Sequence, residues 1–251
     1  MSDVRSLTLL HTRFTFLETV RVPIAVIGSM VFPTLAFLFF VVPMREVAGD
    51  RVLATQATLA MCYFAVMSNC LFSFGVGVVD DREKPWDPYL RTLPAGTGPR
   101  IGARLLNGLV WSLLALVPLL VVSWLLTDAS IGVGRFLFCA PLLAVGALPF
   151  LFAGLAVGYS RSAKAAIAVA QVLMFGMAFG GGLFLPPQMF PGWLDTFSRF
   201  LPSRLGRDLL EWGALGGGLS VWTVLGVAVW TAGTLAFAVW AYRRDEGQRF
   251  R

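Results

Sequence analysis

The chain has 251 residues, of which 57% are hydrophobic and only 14% are Asp, Glu, Lys or Arg, whereas ordinary soluble domains contain about 25% charged residues. Its formal net charge is +6, from 20 basic and 14 acidic residues. This composition excludes a soluble enzyme, a disordered chain and a small disulfide scaffold, and it predicts an all-α integral membrane protein that crosses the bilayer several times.

Residues 1–21 precede the first long apolar run and have the pattern of an amphipathic helix. Their apolar residues recur at helical spacing and form one stripe, which contains Leu7, Leu10, Phe14, Leu17 and Val20. We expect a helix that lies in the cytoplasmic interface of the membrane. It would serve either as a simple anchor or as an elbow that braces the first span against a partner.

Six apolar runs follow, each about 20 residues or longer, which is enough to cross the hydrocarbon core. None contains Asp, Glu, Lys or Arg, and they cover residues 22–43, 52–79, 105–126, 136–158, 165–185 and 219–242. If the N-terminus is cytoplasmic, fourteen of the 20 lysines and arginines fall on the cytoplasmic side, as the positive-inside rule requires. We therefore predict six spans in the plasma (inner) membrane with both termini cytoplasmic. The positive charge indicates topology and contact with anionic lipid rather than nucleic acid.

The segment 80–104, between the second and third predicted spans, is dense in charged and aromatic residues. Its first half reads Asp80-Asp81-Arg82-Glu83-Lys84-Pro85-Trp86-Asp87-Pro88-Tyr89-Leu90-Arg91. Aromatic residues and arginine at an exposed site are typical of a protein contact, so the pattern favours a cytoplasmic binding surface. The alternative is that Trp86 and Tyr89 belong to the aromatic belt of the membrane interface.

The segment 186–218, between the fifth and sixth predicted spans, also contains more apolar residues and prolines than a simple connector needs. It contains two apolar stripes at helical spacing, punctuated by Pro187, Pro191 and Pro202. This pattern predicts two short amphipathic helices that dip back into the outer leaflet, forming a re-entrant outer segment.

Several chemistries have no motif in this sequence. A phosphate-binding loop needs Gly-Lys-Ser/Thr after a glycine-rich turn, and neither Lys84 nor Lys164 lies in that context. The predicted spans lack the ionisable residues that ion-coupled carriers usually keep, and the single histidine, His11, argues against a metal site or a metalloprotease. If ATP drives transport, the ATPase must be another polypeptide.

Three features resemble the membrane-spanning subunit of ABC-2 type exporters, over nearly the whole chain. First, an amphipathic helix precedes six spans. Second, Asp81-Arg82-Glu83 followed by Leu90-Arg91-Thr92-Leu93-Pro94 is similar to the family's acidic-Arg-Glu…Leu-Arg-x-x-Pro signature, although Pro85-Trp86 stands where the family often has Gly-Thr. Third, a Gly/Pro-rich run from Gly180 to Pro187 precedes the last span. The sequence around Trp86 looks most like actinobacterial drug-efflux permeases.

The resemblance implies partners and residue roles. Two permease chains, identical or paralogous, would form the pathway, and ATPase subunits carrying ATP and Mg would bind from the cytoplasm. The implied ATPase-coupling residues are Asp81, Arg82, Glu83, Trp86, Asp87, Tyr89, Leu90 and Arg91. The pathway candidates, on spans two and five, are Gln56, Asn69, Phe72, Gln171, Phe175 and Phe179. From the residues alone, interhelical hydrogen bonding is the favoured interpretation of the amides among them. An outer gate would comprise Gly180, Gly181, Gly182, Pro186 and Pro187.

The expected function is therefore ATP-driven export of a drug, an antibiotic or another amphipathic compound. The chain itself is expected to have no catalytic residue and to bind no cofactor. The alternative is a non-transporting membrane assembly or immunity module that binds a cytoplasmic partner through the same segment.

Overall fold

The computed structural model describes residues 4–21, 23–85, 97–159 and 162–249, and every regular element among them is helical. In chain order the helices are α1 (Val4–Val20), α2 (Pro23–Phe40), the single turn α3 (Arg45–Ala48), α4 (Arg51–Leu71), α5 (Gly77–Glu83), α6 (Thr97–Leu126), α7 (Val133–Gly158), α8 (Ala163–Gly180), α9 (Gly192–Ser198), α10 (Pro202–Leu215) and α11 (Val221–Arg249). A π-helical turn over Phe72–Val76 joins α4 and α5 into one continuous helix.

Within the described residues, five helices are long and apolar enough to cross a membrane. They are Arg51–Glu83, Gly102–Leu126, Val133–Gly158, Ala163–Gly180 and Val221–Asp245. They overlap the second to sixth predicted spans, so the prediction of an all-α, multi-pass membrane protein is confirmed. The first predicted span contains the 18-residue helix α2, whose stretch Met30–Phe40 is apolar.

The helix of the fifth predicted span is shorter than the apolar run that predicts it. The apolar run extends to residue 185, but α8 ends at Gly180. Gly182 has a φ of +73°, a backbone conformation that residues with a side chain rarely adopt. The amide of Leu183 donates to the carbonyl of Ala178 at 2.9 Å and closes the turn. The glycine run therefore ends the helix, although its neighbours are apolar enough to continue it.

Helix α4 lies at the centre of the bundle, and its side chains Met61, Tyr63, Phe64 and Met67 are fully buried. The hydroxyl of Tyr63 donates to the carbonyl of Gly146 on α7 at 2.6 Å, which satisfies a polar group that would otherwise be costly to bury. Together α4 and α5 run the length of the bundle. We call the end that contains residues 80–84 the coupling end, and the opposite end, which contains Arg51, the far end.

Helix α1 packs against α6 through the side opposite its apolar stripe. Asn107 donates through Nδ2 to the carbonyl of Thr12 at 3.0 Å, and the ring of Phe16 stacks on Trp111 with centroids 5.2 Å apart. The predicted apolar stripe faces away from this contact, since Phe14 is exposed. An interfacial helix needs such an exposed apolar face.

The glycine pair Gly154 and Gly158 lets α7 approach the helix formed by α4 and α5. A Cβ at Gly154 would lie 2.5 Å from the Cys70 carbonyl oxygen, and one at Gly158 would lie 2.9 Å from the Phe74 carbonyl oxygen. In contrast, a Cβ at Gly176 on α8 would have no heavy atom within 4 Å. Of these three glycines, two are required by packing and Gly176 is not.

We expect Gly154→Ala to destabilise the protein by about 1–3 kcal/mol, because two helix backbones must move apart to admit the methyl group. Gly176→Ala is the matched control and should be neutral or stabilising, since alanine is the better helix former. Thermal unfolding of the two variants in detergent would compare them. Equal unfolding midpoints for the two variants would contradict the close contact between Gly154 and the helix formed by α4 and α5.

Candidate coupling and pathway site

The long helix of α4 and α5 contains its π turn just before the coupling end. Such turns are rare and occur frequently at functional sites. A Cβ at Gly75, inside the turn, would lie 3.3 Å from the Gly154 carbonyl oxygen, so the turn packs tightly on α7. The apolar pattern does not predict this turn, and its only local signal is the pair Gly75 and Gly77 within an otherwise apolar span.

Arg82, in the last turn of α5, ties that helix to two others. Its guanidinium forms an ion pair with Asp245 on α11 and donates through Nη1 to the carbonyl of Gly158 at 2.7 Å. It also lies 5.3 Å from the ring centroid of Tyr159, within cation–π range. The Arg82 side chain is only 15% exposed, so these contacts take the place of water.

Asp81 and Lys84 extend the contacts of α5 to two further helices. Asp81 forms an ion pair with Arg104 on α6. Lys84 lies 2.9 Å from Asp81 and 3.2 Å from Glu18 on α1. The end of α5 is therefore joined to both α1 and α6.

Glu83 contacts the start of α8, where its carboxylate accepts a hydrogen bond from the backbone N–H of Ala163 at 3.1 Å. A carboxylate is favourable there because a helix N-terminus carries partial positive charge. We call the seven charged residues at this end the coupling-end cluster: Glu18, Asp81, Arg82, Glu83, Lys84, Arg104 and Asp245. The other predicted coupling residues lie outside the described residues: Trp86, Asp87, Tyr89, Leu90 and Arg91.

Three of the six pathway candidates share one face of α8. Gln171, Phe175 and Phe179 are spaced four residues apart and are exposed. Phe175 packs edge-on against Phe32 of α2, with ring centroids 6.2 Å apart. The structure thus brings these three residues together on an exposed and largely aromatic surface.

The other three pathway candidates lie on the α4 helix and its π turn, away from that face. Asn69 donates through Nδ2 to the carbonyl of Gly108 at 2.8 Å and to the hydroxyl of Ser112 at 2.7 Å. Its amide therefore holds α4 against α6, which is the interhelical role that polar groups often have in membrane proteins. Phe72 is half-buried, and Gln56 lies near the far end of α4.

The predicted outer-gate residues form the turn after α8, which closes against α10. A Cβ at Gly181 would lie 2.6 Å from the Cβ of Ser203 on α10. Phe184, which is not among the predicted gate residues, is buried in this turn and stacks on Phe40 with ring centroids 4.8 Å apart. The turn is packed on both sides, against α10 and against α2.

A buried ion pair lies beside this turn. Arg207 on α10 is only 3% exposed, donates to the carbonyl of Gly182 at 2.9 Å, and places Nε 2.6 Å from Oε1 of Glu211. Gln56 donates to the other oxygen of Glu211 at 3.4 Å. Burial lowers the pKa of Arg207 and raises the pKa of Glu211, because removing either charge from water is costly. A cavity of about 20 Å³ between Gln56, Gly182 and Arg207 has room for one water molecule.

Comparison with known proteins identifies the family. The family model described as ABC-2 type transporter matches residues 7–214, most of the chain. The chain belongs to the ABC-2 type transporter family. It is also 24% identical over 199 residues to YvfS of Bacillus subtilis (strain 168), a protein named as a transport permease. That alignment covers 78% of this chain and 80% of the relative.

As an ABC-2 permease, the chain is a multi-pass membrane subunit of a transporter, and the family implies an ABC ATPase as a partner in general. The match extends from α1 to the last turn of α10. It therefore includes every predicted coupling and pathway residue, while Asp245 on α11 lies beyond it.

Proposed function

We propose that this ABC-2 permease is the membrane subunit of an ATP-driven exporter. It has six spans, the first formed around α2, and both termini are cytoplasmic. Two permease chains, identical or paralogous, form the pathway, and a separate ATPase that binds ATP and Mg contacts the segment 80–104. The cargo is a drug, an antibiotic or another amphipathic compound, because the exposed face of α8 offers the rings of Phe175 and Phe179 and the neutral amide of Gln171.

The observation that supports this proposal most directly is the coupling-end cluster. Through it α5 contacts α1, α6, α7, α8 and α11. A displacement of the segment that follows Lys84 is therefore passed to five other helices at once, as a rigid-body switch between inward and outward states requires. The π turn at Phe72–Val76 gives the long helix a place where α5 can rotate relative to α4.

Exposed aromatic residues and the turn after α8 support the outer part of the proposal. The short helix α9 and the turn after it expose Trp193, Phe197 and Phe200, which suits a re-entrant segment in the outer leaflet. The turn from Gly180 to Pro187 is the outer gate, held closed by α10. The exposed face of α8 beside Phe32 is where the second permease chain and the cargo meet this chain.

Trp86→Ala is expected to weaken ATPase binding by about 2 kcal/mol or more, roughly 25-fold, if Trp86 is a central residue of the contact. The tagged chain would be purified from its native membrane in mild detergent, and its partners identified by mass spectrometry. We expect a soluble protein with a phosphate-binding loop to accompany the wild type and to be depleted with Trp86→Ala.

Trp193→Ala is the matched control, because Trp193 is a highly exposed tryptophan at the far end and should leave the partner bound. Equal recovery of the ATPase with both variants would show that Trp86 does not contribute to ATPase binding. If no nucleotide-binding partner is found even after cross-linking, ATP-driven export is excluded and the segment 80–104 must bind another protein.

A further inference from the structure

An open cleft of about 540 Å³ lies at the far end of the bundle, within the range of about 300–1,000 Å³ usual for small-molecule sites. It is bounded by the start of α4, the loop before α7, the start of α7 and the end of α10. Its polar lining comprises the side chains of Arg51, Thr55, Ser130 and Arg135. We call it the arginine cleft.

The arginine cleft presents positive charge that no carboxylate in its lining offsets. Its lining contains two arginines and no acidic residue. Within the described part of the chain neither arginine forms an ion pair, whereas Arg204 and Arg207 at the same end are both paired. The nearest acidic neighbour in sequence, Asp50, caps its own helix by accepting from the amides of Val52 and Leu53 at 2.9 and 2.8 Å.

Both guanidinium groups are held in place by hydrogen bonds that use few of their donors. Arg51 donates to the hydroxyl of Ser130 at 3.2 Å, and Arg135 donates to the carbonyl of Ala214 at 2.9 Å. Thr55 fixes the loop between them by accepting from the Ser130 amide at 3.1 Å. An arginine has five N–H donors, so most of them stay available in a preorganised arrangement, which lowers the entropic cost of binding.

An exposed apolar surface borders the arginine cleft. Val52 on α4 and Val133 and Leu137 on α7 are all exposed, and they belong to helices long and apolar enough to span the bilayer. A molecule with a charged head and an apolar tail could therefore place its head between the arginines and its chains along α7.

We propose that the arginine cleft binds a phosphate group, supplied either by the headgroup of a phospholipid at the far end or by free phosphate. Guanidinium groups match phosphate oxygens in geometry and charge, and the hydroxyl of Ser130 adds a third donor. This inference does not depend on ATP-driven export. It would hold for any role of the chain, and its test uses no ATPase.

The test measures phospholipid binding to the full-length chain in detergent by native mass spectrometry. Phosphatidylglycerol is compared with diacylglycerol, which has the same tails but no phosphate. We expect phosphatidylglycerol to bind more tightly than diacylglycerol, and Arg51→Gln with Arg135→Gln to weaken its binding at least about tenfold. Arg45→Gln is the matched control, because Arg45 is an exposed far-end arginine outside the arginine cleft.

Addition of inorganic phosphate distinguishes the two sources. Displacement of the lipid at millimolar phosphate would assign the site to the free anion, and the absence of displacement would assign it to the lipid headgroup. Arg135 also contacts the end of α10, so Arg51→Gln alone, which loses only the guanidinium and its contact with Ser130, is tested separately and should also weaken binding. Phosphatidylglycerol binding that is equal in the wild type and both arginine-cleft variants would overturn the proposal.

Discussion

Replacement of Arg82 by alanine is expected to reduce ATP-driven transport to background while the chain still inserts into the membrane. Arg82 joins α5 to the ends of α7 and α11, by the Gly158 carbonyl and the Asp245 carboxylate. Hydrogen bonds to a charged group contribute about 1.5–3 kcal/mol each. Their loss would let the segment after Lys84 move without moving those helices.

The measurement that separates uncoupling from misfolding compares transport with ATP hydrolysis by the bound ATPase. Because the proposed docking residues beyond Lys84 are unchanged, we expect the ATPase to stay bound and to hydrolyse ATP without transport. Arg82→Lys should give partial activity, since lysine keeps the charge but lacks the planar fork that can reach two acceptors. Arg244→Ala is the matched control, because Arg244 is exposed on α11 and packs over Trp240 instead. Wild-type transport by Arg82→Ala would show that these contacts do not couple the segment after Lys84 to α7 and α11.

The elements that depend on local pattern could be predicted from the sequence. Apolar runs free of charge predicted the long helices, and the proline-punctuated stripes between spans five and six predicted two short helices, which are α9 and α10. The end of α8 was misjudged because hydropathy counts Leu183 and Phe184 as part of a span, whereas the glycines before them turn the backbone.

Contacts between distant parts of the chain could not be predicted from the sequence. Arg82 and Asp245 are separated by 163 positions, and nothing near either residue indicates the other. Interhelical hydrogen bonding was the favoured interpretation of Asn69, and its donors are taken by α6, but the sequence could not name Gly108 and Ser112 as the partners. From the sequence, Arg207 was only one of the basic residues on the outer side. Hydropathy does not reveal that α10 packs into the bundle and buries it. In each case the partner, and not the residue type, determines the role.

Arg207→Met is expected to destabilise the protein by about 3–5 kcal/mol, the usual cost of leaving one member of a buried ion pair alone. Arg207 is almost fully buried, with Nε 2.6 Å from Glu211 and a hydrogen bond to Gly182. Burial raises the pKa of the Glu211 carboxyl, so removal of Arg207 leaves a buried carboxylate without the guanidinium that offsets the cost of its burial. The turn after α8 would also lose its anchor on α10.

Thermal unfolding in detergent can test this with a thiol-reactive dye, since Cys62, Cys70 and Cys139 are all buried and free and become reactive when the bundle opens. Arg199→Ala is the matched control: its side chain is 63% exposed and its ion pair with Asp195 lies on the surface, where such pairs contribute at most about 1 kcal/mol. The double variant Arg207→Met with Glu211→Gln should recover part of the loss, because no charge is then left alone. If Arg207→Met unfolds at the same temperature as Arg199→Ala, the buried pair does not stabilise the contact between α10 and the turn after α8.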